Sequence, residues 1–420
     1  MKLALIGAGQ RGMIYAEYAY FKKGVEIIAV VEPNEERRAI AAEKFSIGEE
    51  NQFICAEDFF AKGKMCGAVI IASMDQDHYT QTMKALECGY DILLEKPISP
   101  NPKECLLIGE EAKKRGRKIV VCHVLRYTNF FSTIKKIIDG GELGRIIAIQ
   151  HNENVGNYHI AHSFVRGNWR RSDSSSPIIM QKSCHDMDIL TWLVDSDAKK
   201  IASFGSLSHF IEENAPEGSA DRCLECKVAD TCHYNAVRAY MPIRGEWPAA
   251  VLSLDQSEEG ILKALEEGPY GRCVYRCDNT VCDNQVTIIE FKNGVHVSFT
   301  LSGFTNRISR TLKIMCEYGE IRAEDDGDNI EVTRFASNAV DEVKKTIIRT
   351  AQVSGGHGGG DALLMEDFIS NLESNCEDSK TAIEHSLESH IMAYAAEQSR
   401  ASGNVIDVDE LKKQLLCEGI

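Results

Sequence analysis

The chain opens with a short apolar run, Leu3 to Ile6. The run breaks at Gly7-x-Gly9-x-x-Gly12 and passes into a segment of helical pattern, Met13 to Lys23. Glycines at this spacing permit a tight turn and a close backbone approach to a pyrophosphate. The following helix adds free N–H groups and the positive end of its dipole. Alone the motif is weak; between a strand and a helix it opens a βαβ unit. The alternation continues, with strand-like Val25 to Val31, Ala68 to Ala72, Asp91 to Leu94 and Lys118 to Val121. Between them, Asn34 to Phe45, Gln76 to Cys88 and Asn101 to Arg115 carry helical patterns. Short continuous apolar strands separated by helices predict a doubly wound parallel sheet of Rossmann type, covered on both faces. Residues 1–123 are expected to form this dinucleotide-binding domain. Glu32 ends the second strand, 20 residues after Gly12. A carboxylate there accepts hydrogen bonds from ribose hydroxyls and repels a 2′-phosphate, which favours NAD. Arg37 and Arg38 keep NADP as the lesser reading.

After His123 the pattern changes. Phe130 to Ile138 and Cys184 to Leu193 read as helices, and Arg145 to Asn152 alternates like a strand with one exposed face. From Gln285 onward strand patterns cluster (QVTIIEF, VHVSFTL, TLKIMCEY and a segment around Glu331), with Gly294 and Gly319 expected at hairpin turns; Asp361 to Arg400 is helical again. Residues 124–420 are therefore expected to form an α+β domain with an open, mostly antiparallel sheet, used for substrate binding and oligomerisation. A cysteine-containing insertion is placed at about 212–283. The whole is of α/β class. One face of an open sheet needs a cover, so a homodimer or homotetramer is expected.

Composition narrows the partners. Lys plus Arg is 47 against 63 Asp plus Glu, a net charge of −16, which argues against general nucleic-acid binding. No apolar run approaches the ~18–20 residues that span a bilayer, and the opening apolar run is too short for a signal peptide. An odd number of cysteines, 15, scattered along the chain favours reduced thiols and a cytoplasmic location.

Glu95-Lys96-Pro97 directly follows the strand Asp91 to Leu94. The C-terminal end of a parallel strand faces the ligand crevice, and a lysine there can support an alkoxide-like oxygen as hydride leaves its carbon. Pro97 keeps Lys96 out of helical geometry and admits a cis bond. His185, near the start of a helical segment, has a pKa suited to accepting a hydroxyl proton at neutral pH.

At these residues the chain resembles the Gfo/Idh/MocA oxidoreductases, the glucose–fructose oxidoreductase and inositol dehydrogenase relatives. GAGQRG at Gly7, ASMDQDH at Ala72, LEKPIS at Leu94, GELGRI at Gly141 and CHDMD at Cys184 carry the resemblance, in the family's order. It implies that Lys96 and His185 act on the substrate. It also implies that Gly7, Gly9, Gln10, Arg11, Gly12, Glu32, Ser73, Asp75, His78, Glu95, Lys96, Pro97, Arg126, Trp169 and Arg170 serve the cofactor, NAD. One departure stands out: family members commonly place an acid four residues before this histidine, and here that position is Gln181, followed by Lys182. Glutamine hydrogen-bonds a hydroxyl but takes no proton.

The segment Asn152 to Arg171 is dense in His, Asn and aromatic residues, as a carbohydrate pocket requires. Tyr158, His159 and His162, with Gln181, Lys182 and His185, are the candidates for substrate contact. Cys223, Cys226 and Cys232 have a spacing that suits Zn²⁺, with His233 adjacent, and Cys273, Cys277 and Cys282 follow. No second C-x2-C or H-x3-H completes a ligand set, so packed thiols are favoured and no metal is expected. The GGHGGGD stretch from 355 to 361 leaves two roles for His357, approach to the substrate or capping of the next helix. The expected function is NAD-dependent oxidation or reduction of a sugar, cyclitol or derivative. The alternatives are an NAD-dependent glycosidase that oxidises transiently and eliminates, and an NAD-binding sensor without turnover.

Overall fold

The computed structural model describes residues 1–327, 329–338, 340, 342–351, 356–374 and 379–417. The first sheet comprises β1 (Lys2–Ile6), β2 (Glu26–Val31), β3 (Gln52–Phe53), β4 (Ala68–Ile71), β5 (Asp91–Leu94) and β6 (Ile119–Val121). All pairs are parallel, in the order β3-β2-β1-β4-β5-β6. The order reverses between β1 and β4, so the loops leaving these two strands diverge and open a crevice at their C-terminal ends. Both faces of the sheet are buried. Leu3, Leu5, Val30 and Ile70 pack on one side; Ala4, Ile6, Val69 and Ile71 pack on the other. That is why these strands are apolar throughout rather than alternating.

Local signals set the helix ends. Asn34 and Asn101 accept hydrogen bonds from the backbone N–H groups of Arg37 and Lys103, and Gly24 and Gly116 close helices in the left-handed conformation. Parts of the C-terminal segment reach back to the first sheet. Leu364, Met365 and Phe368 of the helix Gly360–Glu373 join the core formed by Leu3, Leu5 and Val30. Ile383, at the start of the helix Ile383–Ser402, packs into the opposite face.

The second sheet comprises β7 (Ile146–Asn154), β8 (Ala198–Ser206), β9 (Asn284–Phe291), β10 (His296–Ser302), β11 (Ser309–Cys316), β12 (Gly319–Glu324), β13 (Asn329–Arg334), β14 (Lys344–Arg349) and β15 (Ile406–Asp407). Its order is β14-β13-β12-β11-β7-β10-β9-β8-β15. Only β10 and β7 run parallel; the other pairs are antiparallel. One face packs on the helices Asn129–Asp139, Cys184–Val194 and Ile383–Ser402. The other is open and carries Phe204, Val286 and Ile288 exposed on neighbouring strands. β8 escapes the sequence reading because a register shift between Ala198 and Lys200 breaks its alternation. Gly294 sits in a hairpin turn at φ 85°, as expected. Gly319 instead starts β12, where an added Cβ would meet the Thr333 carbonyl oxygen at 2.4 Å.

The insertion builds a small core of its own from Tyr240, Ala249, Ile261, Leu265 and Tyr270. The two sheets are joined by a buried ion pair. Arg126, in the turn after β6, donates through Nε and Nη2 to both carboxylate oxygens of Asp188, at 2.7 Å each. It also donates to the backbone oxygens of Lys380 and His385. Sequence reasoning assigned Arg126 to the cofactor; the structure commits its guanidinium to this joint. Removing one partner of such a pair leaves the other charge buried. Arg126→Leu should therefore cost ~3–5 kcal/mol in urea-induced unfolding, and Asp188→Leu added to it should recover part of the loss.

Candidate active site

The glycine loop separates three tasks. Gly7 holds φ 91°, and a Cβ there would lie 2.5 Å from the Ala72 carbonyl carbon. A Cβ on Gly12 would lie 2.0 Å from the Gly7 carbonyl oxygen. These two glycines let β1, β4 and the first helix close on one another. A Cβ on Gly9 would meet nothing within 4 Å. It borders open space at the start of the helix Gln10–Lys23, which has no side-chain cap and no acid in its first turn. An uncapped positive end beside an open cradle fits a pyrophosphate. Gln10 is exposed there. Glu32 is buried at the end of β2, and its carboxylate accepts the N–H groups of Ala8 at 2.9 Å and Asn34 at 3.1 Å. The residues fit NAD: Gly9 and the helix start would hold the diphosphate, and Glu32 the adenosine ribose.

At the end of β5 the chain turns through a cis bond between Lys96 and Pro97. Glu95 points inward, where its carboxylate accepts from Arg11 Nε at 3.0 Å and the Tyr15 hydroxyl at 2.7 Å. Arg11 also pairs with Asp361. Burial pushes the Glu95 carboxyl up, but Arg11 and Lys96 outweigh it and hold the group below its usual range. Arg11 and Glu95 thus brace the loops instead of standing free in the crevice. His78 Nδ1 lies 2.8 Å from the Pro97 carbonyl oxygen, which fixes the turn from below. Asp75 faces the Ser176 hydroxyl at 3.4 Å, and the Ser73 hydroxyl donates to Gln81.

Lys96 points the other way. Its Nζ donates to the Gln181 carbonyl oxygen at 3.2 Å, four residues before His185. The ammonium at the end of β5 and the imidazole of the helix Cys184–Val194 therefore share one site. Burial drives the His185 imidazole well below its usual pKa, and the charge of Lys96 adds to the effect, so His185 is neutral and able to accept a proton. Its Nδ1 faces Nδ1 of His123 at 3.4 Å, and the ring of His357 lies 6.2 Å from its own. His357 also approaches the Asp361 carboxylate at 3.3 Å, and no side chain caps the helix that follows.

Next to Gln181, Lys182 meets a buried carboxylate from β7. The Lys182 ammonium lies 3.4 Å from the carboxylate of Glu153, which also contacts Arg310 at 2.5 Å. Burial raises the Glu153 carboxyl, and burial lowers the Lys182 ammonium. Asp186 accepts from Arg310 Nε at 2.9 Å and lies 2.7 Å from His151 Nε2. Sequence reasoning missed Glu153, His151, Arg310 and His123. Their signal was a polar residue at an inward-facing position of an alternating strand, or at the end of a parallel one.

The aromatic segment is divided. His159 is within electrostatic reach of Lys182 and Lys96, and its buried Nδ1 has no hydrogen-bond partner among the described residues. Tyr158 and His159 meet the edge of Trp247 from the insertion, an aromatic roof that sequence reasoning did not include. His162 lies in a π-helical segment, Ile160–Arg166, stacked on Tyr270 at 4.6 Å with Nδ1 3.0 Å from the Tyr240 hydroxyl. It holds the insertion down. Trp169 packs near Phe164, and Arg170 pairs with Asp278 at 2.7 Å. Cys223, Cys226, Cys232 and Cys273 line one small cavity, yet no group of three or more Cys, His, Asp or Glu is placed to hold a metal among the described residues.

Comparisons with known proteins bear on the family and the fold. The profile of the Gfo/Idh/MocA oxidoreductase family, described as an NAD-binding Rossmann fold, matches residues 1–123. The profile of that family's C-terminal alpha/beta domain matches residues 135–408. YteT of Bacillus subtilis, provisionally named an oxidoreductase, is 25% identical over 365 residues, 83% of each chain. Inositol 2-dehydrogenase of Corynebacterium glutamicum is 28% identical over 201 residues, 47% of this chain and 55% of its own length. The chain thus aligns with only about half of that dehydrogenase. The solved structure of levoglucosan dehydrogenase with NADH has a TM-score of 0.71, at 18% identity over 97% of this chain and 99% of that one, a likeness of fold.

Two outcomes follow from the site. Gly12→Ala should lower stability by ~1–3 kcal/mol because its Cβ meets backbone. Gly9→Ala should unfold like the parent in urea yet bind NADH several-fold more weakly, read by fluorescence titration. Buried neutral histidines also make stability pH-dependent. Burial holds His123 and His185 well below the usual range, His162 at about 4 and His390 at about 3. Below ~6.5 the unfolded chain binds protons that the folded chain refuses, so stability falls as pH drops. Urea midpoints should decline steadily from pH 7.5 to 5.5; a flat or rising series would mean these imidazoles are charged in the fold.

Proposed function

Because the chain belongs to the Gfo/Idh/MocA family of NAD-dependent oxidoreductases, we propose that its substrate is a sugar, a cyclitol or a derivative of one, oxidised or reduced at a hydroxyl-bearing carbon. The observation that carries the reading is the meeting of Lys96, from the first sheet, and His185, from a helix packed on the second. Bound NAD supplies the hydride acceptor at its nicotinamide ring. The rest falls to side chains. His185, kept neutral by burial, takes the hydroxyl proton during oxidation and returns it during reduction. Lys96 lies beside it and donates a charged hydrogen bond to the oxygen on which negative charge grows. Gln181, whose buried Oε1 has no hydrogen-bond partner among the described residues, accepts from a further substrate hydroxyl. An acceptor of this kind favours a ligand with more than one O–H donor. Trp247 closes the pocket over Tyr158 and His159 with an aromatic edge.

One observation favours a second reading, redox-assisted cleavage of a glycoside. Glu153 is fully buried, and burial raises its carboxyl toward the protonated form beside Lys182. A protonated acid suits a departing glycosidic oxygen. A panel of sugars, cyclitols and nitrophenyl glycosides, followed for both NADH and released nitrophenol, separates the two. NADH formation in step with substrate loss supports the dehydrogenase; nitrophenol release without net NADH supports the glycosidase. On the best substrate, Lys96→Met should lower kcat/KM by about 10²-fold or more while NADH still binds. Activity within about tenfold of the parent would remove Lys96 from the chemistry.

A further inference from the structure

A file of buried polar groups leads away from His185 to the opposite side of the Lys96 turn. His185 Nδ1 faces His123 Nδ1 at 3.4 Å. His123 Nε2 faces the Ser389 hydroxyl at 3.5 Å and a carboxylate oxygen of Asp188 at 3.9 Å. The Ser389 hydroxyl lies 3.1 Å from His390 Nδ1, and His390 Nε2 accepts the backbone N–H of Ile98 at 2.9 Å. His123, Ser389 and His390 are fully buried. A neutral imidazole carries one N–H and one bare nitrogen, so each contact constrains the next.

The far end of the file has no freedom. The Ile98 amide only donates, so His390 Nε2 is bare and its hydrogen sits on Nδ1, where the Ser386 carbonyl accepts it at 3.0 Å. The Ser389 hydroxyl donates to the same carbonyl at 2.7 Å, which leaves its lone pairs for His123. Those lone pairs and the Asp188 carboxylate both face His123 Nε2, so the hydrogen of His123 belongs on that nitrogen. His123 Nδ1 is then bare, and the contact between the two rings is filled by a hydrogen on His185 Nδ1.

We propose that His123 is a positioning residue that fixes His185 in the Nδ1–H tautomer and leaves Nε2 bare for the substrate hydroxyl. Among the described residues nothing hydrogen-bonds His185 Nε2. When the substrate O–H passes its proton to Nε2, the imidazolium that forms keeps its Nδ1–H on His123 and needs no rearrangement. On return of the proton the same tautomer is restored. This deepens the proposed function and rests on His185 as the base.

The test uses the full chain labelled with ¹⁵N-histidine. Long-range ¹H–¹⁵N correlation spectra at pH 7.5 report which nitrogen of each imidazole is protonated, and the His185 signals are identified by their loss in His185→Asn. The expected result is a protonated Nδ1 and a bare Nε2. His123→Leu should shift His185 toward a mixture of tautomers and lower kcat about tenfold or more, with KM and NADH affinity changed by less than about twofold. His123→Asn, which places an amide oxygen where Nδ1 was, should recover most of the kcat. A protonated Nε2 on His185 in the parent protein overturns the proposal, and so does a His123→Leu enzyme with unchanged kcat and tautomer. If His123→Leu does not fold, the parent spectrum and His123→Asn decide. Full activity in His185→Asn would instead refute the base assignment, while the spectrum still answers the tautomer question.

Discussion

The turn Glu95-Lys96-Pro97-Ile98 is the constraint on which the rest of the molecule depends. Four neighbouring residues send four groups in different directions. The Glu95 carboxylate goes to Arg11 and Tyr15, the Lys96 ammonium to the Gln181 carbonyl, the Pro97 carbonyl to His78 and the Ile98 amide to His390. Each contact reaches a different part of the chain. The turn therefore locks the glycine-loop helix, the Rossmann crevice and the second sheet into one arrangement. Hydrogen bonds in a buried, low-dielectric setting of this kind are stronger than in water and hold their members rigidly. That rigidity is why the Lys96 ammonium can be held in place where the two sheets meet.

Charge in the site follows the same logic. Lys96, Lys182 and Arg310 bring positive charge around His185, while Glu153 and Asp186 answer it from β7 and the helix Cys184–Val194. Arg310 and His151 overcome the burial of Asp186 and keep it ionised. Glu153 is pushed the other way by its burial. Two carboxyls near one cation cluster thus differ in proton affinity, which gives the site separate places to hold charge and to hold a proton.

Much of this was legible in the sequence, and the rest was not for definite reasons. The first sheet shows because both its faces are buried, so its strands form unbroken apolar runs around Gly7, Gly9 and Gly12. Lys96 and His185 show because each sits at an element end within a recognisable string. Glu153, His151 and Arg310 do not. They face inward on alternating strands, and a polar residue at such a position reads locally as a fault in the pattern. His123 and His390 are 267 residues apart, and nothing local joins them. Trp247 lies in an irregular stretch of the insertion, between two short turns, where nothing local announces its contacts. The resemblance assigned Arg126 and Arg170 to the cofactor, and the types of its neighbours assigned His162 to the substrate. Their guanidinium and imidazole groups instead serve Asp188, Asp278 and Tyr270.

The return of the C-terminal helices to the first sheet has a consequence for how such a chain can be cut or recombined. Leu364, Met365 and Phe368 roof one side of the nucleotide fold, and Ile383 plugs the other. A fragment ending after β6 would expose that roofed surface to water, so the nucleotide fold is not a detachable cassette. A graft that exchanges one half of such a protein for a relative's must carry the matching tail across with it.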